Sequence, residues 1–239
     1  MKKRNLALLL TAALLSMGGC AAGEETTEQN QQTVQASMET GEESTETGTK
    51  TAASGEASME ALEQHEETPA EDFIFVVSGS GDYVSIEGYH GEDNIVVIPE
   101  NIEGVPVTVV SGLSGSGIAG IRFSDSVETI EDACFFEDGE LMYVICGDNI
   151  KEIGEMVFYN CTNLKEIRLN EGLETLGIGA LMTGSSDLTD IYIPETVTDL
   201  TGIDFYGTVT YHVKAGSPAE EFFRSVTEKN FPDLKYTIE

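Results

Sequence analysis

Basic residues are scarce in this chain. Its 239 residues include 12 Lys and Arg against 43 Asp and Glu, which gives a formal net charge of -31 at pH 7. A protein that binds DNA or RNA needs basic side chains to displace phosphate counterions, and docking on an anionic membrane surface needs a polybasic patch. The composition therefore argues against nucleic acid as a partner and against a polybasic membrane contact.

The chain also has few of the side chains that build metal sites and active sites. It contains four Cys and three His, without zinc-ligand spacing or a nucleophile-elbow sequence. We interpret His90 and His212 as surface residues. Adjacent acids such as Glu131 and Asp132 are unavoidable in so acidic a chain and carry little weight as glycosidase residues. The sequence predicts no metal, no cofactor and no enzyme activity; a hydrolase is a remote alternative.

One glycine-rich segment matches a cofactor motif by its letters alone. Residues 115–120 read G-x-G-x-x-G, which binds dinucleotides only where it opens a helix. Here the alternating apolar residues Ile121 and Phe123 follow at once. We therefore interpret the segment as a shortened turn.

Three of the cysteines lie in the part of the chain that is predicted to fold. Cys134, Cys146 and Cys161 fall at or beside core positions, which favours small buried hydrophobic residues. Export would permit disulfides, but three cysteines cannot all pair internally. The sequence leaves open whether any two of them do.

The N-terminus carries an export signal. Lys2, Lys3 and Arg4 precede an apolar run of about a dozen residues, whereas a finished membrane-spanning helix needs roughly 20. The stretch LLSMGGC, residues 14–20, resembles a bacterial lipoprotein signal, which implies a signal peptide over residues 1–19 and a lipid on Cys20. An ordinary cleaved signal with an incidental cysteine is the alternative. We expect an exported protein held at the bacterial membrane by its N-terminal lipid only.

Residues 20–72 are predicted to be an acidic, disordered tether. They are rich in Glu, Thr, Ser and Gln, with a single basic residue, Lys50, and contain no aromatic residue before Phe73. Such a segment cannot bury enough apolar surface to offset the ordering entropy of about 1–2 kcal/mol per residue.

Apolar residues recur at a fixed spacing through the rest of the chain. Short segments with two apolar residues separated by one position begin at Ile121, Val144, Ile167 and Ile191. A second apolar pair follows each of them, for example Ile150 and Ile153. A period of 20 to 29 residues with short apolar segments is the signature of a solenoid, so we predict a β-rich fold with a parallel sheet.

Both ends of the array are expected to be capped. Phe73–Val77 and Tyr83–Tyr89 alternate around a turn and predict an N-terminal β-hairpin. Ser217-Pro218-Ala-Glu220 is a capping box with proline at the first helical position, and it predicts a helix over residues 218–228. The predicted folded domain spans residues 73–239, with repeats over about 95–207 and a C-terminal helix and strand cap over 208–239.

The repeat resembles the BspA-type leucine-rich repeat of bacterial surface proteins. Its residues read Val144-x-Cys146-Gly-x-x-Ile150-x-x-Ile153-Gly-x-x-Val157-Phe158-x-x-Cys161-x-x-Leu164. The resemblance implies a leucine-rich-repeat solenoid, a noncatalytic binding or adhesion role, and a protein or glycan ligand.

The candidate binding face consists of residues that point outward from the first strand of each repeat. Neighbouring strands are about 4.8 Å apart, so equivalent positions form columns. One predicted column is Arg122, Ile145, Arg168 and Tyr192, and its neighbour is Tyr143, Glu166 and Asp190. Arg, Tyr and an exposed Ile match the composition of binding hot spots; a merely solvated face with Arg168 paired to acids is the alternative.

We therefore predict a noncatalytic, lipid-anchored surface protein that binds a protein or glycan through this face. The alternative is an envelope structural or accessory subunit that docks on another bacterial surface protein.

Overall fold

The computed structural model describes residues 56–205, 207–228 and 231–239. The predicted signal peptide, Cys20 and the tether up to residue 55 lie outside the described residues. The described part is a β-rich solenoid with few helices, as predicted. Among these residues, no helix combines the length and the apolar character that a membrane crossing requires.

Within the described residues, fourteen strands and two α-helices follow one another, with a short 3-10 turn at Ala70–Asp72 before the first strand. They are α1 (Met59–Gln64), β1 (Phe73–Val77), β2 (Val84–Tyr89), β3 (Ile95–Val97), β4 (Asn101–Ile102), β5 (Val105–Val110), β6 (Gly120–Arg122), β7 (Thr129–Ile130), β8 (Tyr143–Ile145), β9 (Glu152–Ile153), β10 (Glu166–Arg168), β11 (Thr175–Leu176), β12 (Asp190–Ile193), β13 (Thr210–Val213), α2 (Pro218–Thr227) and β14 (Lys235–Ile238).

The first strands of the repeats form one parallel sheet, in the order β10-β8-β6-β3. Its register pairs Gly120 with Tyr143 and Tyr143 with Glu166. This register follows from the period of two along each strand, which turns Val144 and its equivalents inward to full burial. The intervening positions are left on the outer side, which we call the strand face.

The second strands form another sheet, in the order β1-β2-β5-β7-β9-β11. β1 and β2 are antiparallel, which confirms the predicted N-terminal hairpin cap. From β2 onward this order is parallel. Pairing the hairpin with the first coil covers the apolar end of the array, as a solenoid requires.

The third side of each coil is a turn whose conformation explains the repeat pattern. Ala133, Met156 and Gly179 occupy equivalent positions and have φ angles of 57°, 54° and 72°. Adjacent turns are joined by backbone hydrogen bonds, such as that from Phe135 N to Val157 O at 3.0 Å. Segment 115–120 enters β6 and opens no helix, in agreement with its interpretation as a turn.

Apolar ladders fill the space between the three sides. Phe135 stacks on Phe158 with ring centroids 5.8 Å apart, and both side chains are fully buried. Burying a large apolar side chain contributes on the order of 1.5–3 kcal/mol, so each coil stabilises its neighbours. Cys134, Cys146 and Cys161 are buried in this core as free thiols, and the structure contains no disulfide between them.

The C-terminal end continues the stack and then closes it. β12, β13 and β14 form a parallel three-stranded sheet. The Ser217 hydroxyl accepts a hydrogen bond from Glu220 N at 3.2 Å, which caps α2 as the sequence predicts. The helix buries Ala219 and Phe223 against the core. It therefore covers the last coil.

The predicted disorder of the tether does not hold for residues 56–72. Ser58 caps the short helix α1 by accepting a hydrogen bond from Ala61 N at 3.1 Å. Leu62 is fully buried and packs in a cluster with Ile95 and Ala119. The acidic composition of the segment gives no indication of this helix. A few well-spaced apolar residues are enough to hold a short helix in place when a sheet surface is present to bury them.

Candidate functional site

The strand face carries the predicted columns over β6, β8 and β10. Arg122, Ile145 and Arg168 are aligned by the strand register, and Tyr143 pairs with Glu166 in the neighbouring column. These alignments follow directly from the repeat spacing of the sheet.

The predicted columns are interrupted between β10 and β12. β10 and β12 are adjacent, but they belong to separate hydrogen-bonded sheets. Glu166 follows Tyr143 by 23 residues, whereas Asp190 follows Glu166 by 24. The extra residue lies in a polar turn where the Ser185 hydroxyl donates to Leu164 O at 2.6 Å. The prediction of one continuous column from Arg122 to Tyr192 is wrong at this point.

The interruption is confined to the strand face, because the two coils remain joined on their other sides. Thr198 N donates to Glu174 O at 3.0 Å on the second side, and Leu181 N donates to Gly202 O at 2.9 Å on the third. Leu169, the residue after β10, is only partly buried. The opening between β10 and β12 is therefore confined to the strand face.

An exposed tyrosine stands beside the opening. The Tyr192 side chain is 59% exposed, and its ring stacks on His212 with centroids 4.3 Å apart and planes inclined by 17°. Two hollows of about 520 and 430 Å³ flank this ring, one toward β10 and the other toward β13. We call the surface formed by Glu166, Arg168, Asp190, Tyr192 and His212 the open half of the strand face.

His212 is held by polar groups on both sides of its ring. Its Nε2 lies 2.7 Å from Asp190 Oδ1, and its Nδ1 lies 2.9 Å from Thr237 Oγ1 and 3.2 Å from Glu239 Oε1. The hydrogen bond with His212 is the main cause that lowers the pKa of Asp190, with a smaller contribution from Thr189. These contacts fix the plane of the imidazole and therefore of the Tyr192 ring stacked on it.

The contacts of His212 resemble an acid, base and hydroxyl relay, but a hydrogen-bonded support for the ring accounts for them better. The Thr237 hydroxyl shares Nδ1 with the Glu239 carboxylate, so the ring sits between two acids. Because each ring nitrogen already has a carboxylate partner, neither is left free to act as a general base. The cluster therefore positions Tyr192 and has the features of a structural support.

The other half of the strand face is covered by α1. Arg122 donates from Nε to Leu62 O at 3.2 Å and from Nη2 to His65 O at 2.7 Å. Gly120 lies under the same helix, since a Cβ there would be in ordinary van der Waals contact, 3.8 Å from the Leu62 methyl groups. Arg122 thus binds the last carbonyl groups of a helix of this chain, where helices leave acceptors unsatisfied.

The helix also reaches the open half through one ion pair. Glu63 of α1 binds the Arg168 guanidinium, which donates as well from Nε to Glu166 Oε1 at 2.9 Å. The hydrogen bond with Glu63 is the main cause that raises the pKa of Arg168. Tyr143 and Ile145 pack beside the α1 cluster. The predicted face is thus divided into a covered half and an open half.

Sequence reasoning missed two parts of this site. His212 was interpreted as an ordinary surface residue, although it lies in register with Tyr192 across β12 and β13. Extending the column by one more strand would have found it. The signal for α1 was Ser58 followed by Met59 and Leu62, one helical turn apart.

The described residues contain no group of three or more His, Cys, Asp or Glu side chains arranged to hold a metal ion.

A family model matches just under half of the chain, and solved structures match its fold. The BspA-type leucine-rich repeat region, in six copies, matches residues 94–212. A leucine-rich-repeat protein of T. pallidum is 24% identical, with a TM-score of 0.57 over 62% of this chain and 71% of that protein's chain. A leucine-rich-repeat protein of Bacteroides ovatus ATCC 8483 is 23% identical, with a TM-score of 0.51 over 62% of this chain and 41% of the other. No curated protein matches the sequence.

The repeat solenoid, its parallel sheet and these matches agree with one another. Leucine-rich-repeat solenoids stack short units into extended surfaces that typically bind proteins. The chain is a leucine-rich-repeat solenoid whose residues 94–212 match the BspA-type repeat.

Proposed function

We propose that this chain is an exported, lipid-anchored and noncatalytic surface protein, which binds a partner protein through the open half of its strand face. The role is of the adhesion type, in which the solenoid supplies a binding surface and the N-terminal segment supplies attachment. A glycan ligand is the competing possibility for the same face.

The observation that carries this proposal is the exposed and braced ring of Tyr192. Its stack on His212, 4.3 Å between centroids, fixes the ring before any partner arrives. A rigid aromatic side chain loses little conformational entropy on binding, which is why Tyr is enriched among interface residues that dominate affinity. The flanking hollows, about 520 and 430 Å³, offer space for side chains of a partner.

Helix α1 blocks the covered half of the strand face, which leaves the open half as the binding site. Arg122, Tyr143 and Ile145 contact α1 or its cluster and are not free for an external ligand while the helix is docked. Arg168 keeps 47% of its side chain exposed in spite of its ion pair with Glu63. An external partner therefore has its best access at Arg168, Asp190 and Tyr192.

Attachment to a membrane rests on the sequence of the first twenty residues. Lipid on Cys20 would give the stable anchoring that several acyl chains provide and one does not. Cells that express the full chain are labelled with radioactive palmitate, with Cys20→Ala as the variant. We expect label in the wild type alone, and label that persists in Cys20→Ala would contradict the anchor.

The binding proposal is tested with the purified full chain and two tyrosine variants. Immobilised wild type, Tyr192→Ala and Tyr83→Ala are incubated separately with host matrix proteins and with an envelope extract of the producing cell. Tyr83 is 41% exposed on the N-terminal cap, so its variant controls for loss of an exposed tyrosine elsewhere.

We expect a protein retained by the wild type and by Tyr83→Ala and retained in a smaller amount by Tyr192→Ala. Equal retention on all three surfaces would remove the open half from consideration. Retention from the envelope extract alone would assign the chain to the accessory-subunit role, and binding of a glycan array with no retained protein would contradict a protein partner. Circular dichroism of each variant checks that the fold is intact.

A further inference from the structure

We infer that the partner segment that contacts Tyr192 is cationic and sets a Lys or Arg side chain over the face of that ring. This inference rests on the proposed function and names the chemistry of the partner at the same site.

The exposed face of the Tyr192 ring can attract a cation. The negative face of an aromatic ring attracts an ammonium or guanidinium within about 6 Å of the centroid. His212 covers one face of the ring, so one face remains for a partner. The same kind of contact occurs within this chain, where Lys165 Nζ lies 5.7 Å from the centre of the Tyr143 ring.

Carboxylate side chains outnumber cationic side chains around the Tyr192 ring. The hollows beside Tyr192 are lined by Glu166, Glu171, Asp190, Glu195 and Glu239. The cations of the same lining are committed: Arg168 binds Glu63 and Glu166, Lys214 binds Glu195 at 2.7 Å, and Lys165 stands over Tyr143. Asp190 and Glu239 share His212 as a hydrogen-bond partner, and Glu171 lies near Lys214, whose ammonium already binds Glu195.

The net charge of the whole chain also favours a cationic partner. With a net charge of -31, the protein repels an acidic partner and attracts a basic one over distances longer than a hydrogen bond. Of the basic side chains, Arg122 and Arg224 also bind groups of this chain, the α1 carbonyls and Glu220. A complementary surface must therefore bring its own Lys or Arg residues.

The test uses a displayed library of random dodecapeptides, selected on the immobilised full chain. Binding of each selected peptide is then compared on wild type and Tyr192→Ala. We expect the Tyr192-dependent peptides to be enriched in Lys and Arg relative to the unselected library. Tyr192-dependent peptides that are neutral or acidic would overturn the cationic partner and leave the binding face in place. An absence of Tyr192-dependent peptides would overturn both.

A selected basic peptide then allows each contact to be measured by fluorescence anisotropy. Tyr192→Ala should weaken binding about two- to fivefold, as expected for an exposed cation–π contact, and Tyr192→Phe should retain it because the ring is kept. Glu171→Gln should weaken binding more than Glu174→Gln, whose exposed carboxylate lies away from the ring. Affinity should fall from 50 mM to 300 mM NaCl, because salt screens these charges. Equal effects of Glu171→Gln and Glu174→Gln would mean that the peptide is held only by the net negative charge of the chain. That result would contradict a binding site beside the Tyr192 ring.

Discussion

Arg122 and Leu62 lie 60 positions apart in the chain, yet the Arg122 Nε donates to the Leu62 carbonyl oxygen at 3.2 Å. This contact joins the end of the acidic N-terminal segment to the strand face. It divides that face into the part that the chain covers itself and the part that remains open for a partner.

The docking of α1 depends on one buried side chain. A helix of six residues is not stable in isolation, so Leu62→Asp, which puts a charge at a fully buried position, should release it. We expect amide protection of residues 58–65 to disappear in hydrogen-exchange mass spectrometry while β6–β11 keep theirs. Gln64→Asp adds the same charge at an exposed position of the helix and should change little. Retained protection in Leu62→Asp would mean that the Arg122 contacts alone hold the segment.

The glycines after the second strands allow adjacent coils to approach. A Cβ at Gly177 would lie 2.5 Å from the carbonyl carbon of Gly154, whereas a Cβ at Gly139 would meet nothing within 4 Å. Gly177→Ala should therefore lower the free energy of unfolding by about 1–3 kcal/mol, as overpacking does. Gly139→Ala should stay within about 0.5 kcal/mol of the wild type. Urea denaturation of both variants measures the difference, and equal stabilities would contradict the close packing at Gly177.

The three buried cysteines should be unreactive in the folded protein. Burial raises the pKa of Cys134, Cys146 and Cys161 to about 12 in each case, so almost no reactive thiolate exists at pH 8. In a Cys20→Ala background we expect no rapid reaction with a thiol reagent under native conditions. All three thiols should react in urea without a reductant, since they are free. Fewer than three would reveal a disulfide, and rapid native labelling would contradict their burial.

The link between Asp190 and His212 should appear in a titration. Because the pKa of Asp190 is lowered from its ordinary value of 3.8, mainly by His212, the ionised carboxylate favours the folded state above that value. This contribution is lost as the pH falls through the folded-state pKa.

The carboxyl carbon of Asp190 can be followed by NMR between pH 2 and pH 6. We expect its pKa to rise toward 3.8 in His212→Ala and to stay low in Tyr192→Phe, which keeps the histidine. An unchanged midpoint in His212→Ala would show that another group, such as Thr189, holds the charge.

The repeat could be predicted closely because its signal is local and redundant. Ile121, Val144 and Ile167 occupy the same inward place in three consecutive strands, and a strand that slipped by one residue would expose all of its apolar positions. The capping box at Ser217 is equally local, since it needs only the residues of one helical turn. The outward columns over Arg122, Ile145 and Arg168 followed from the same register.

The two halves of the strand face could not be predicted in this way. The extra residue before Asp190 is visible in the sequence, but its effect depends on how the polar turn around Ser185 fits against Leu164. The bracing of Tyr192 requires His212 from the next coil and Glu239 from the last residues of the chain. None of these groups is close to another along the sequence.

The period of the apolar residues is enough to specify the solenoid, because stacking similar coils buries apolar residues that recur at a constant spacing. Which part of the strand face a partner can reach depends on the tertiary contacts. Helix α1 has too few residues to be stable alone and exists where Ile95 and Ala119 offer an apolar surface and Arg122 offers donors. The break beside Tyr192 arises where the coils remain bonded on two sides and part on the third. Both depend on contacts between distant residues, which the spacing of apolar residues does not encode.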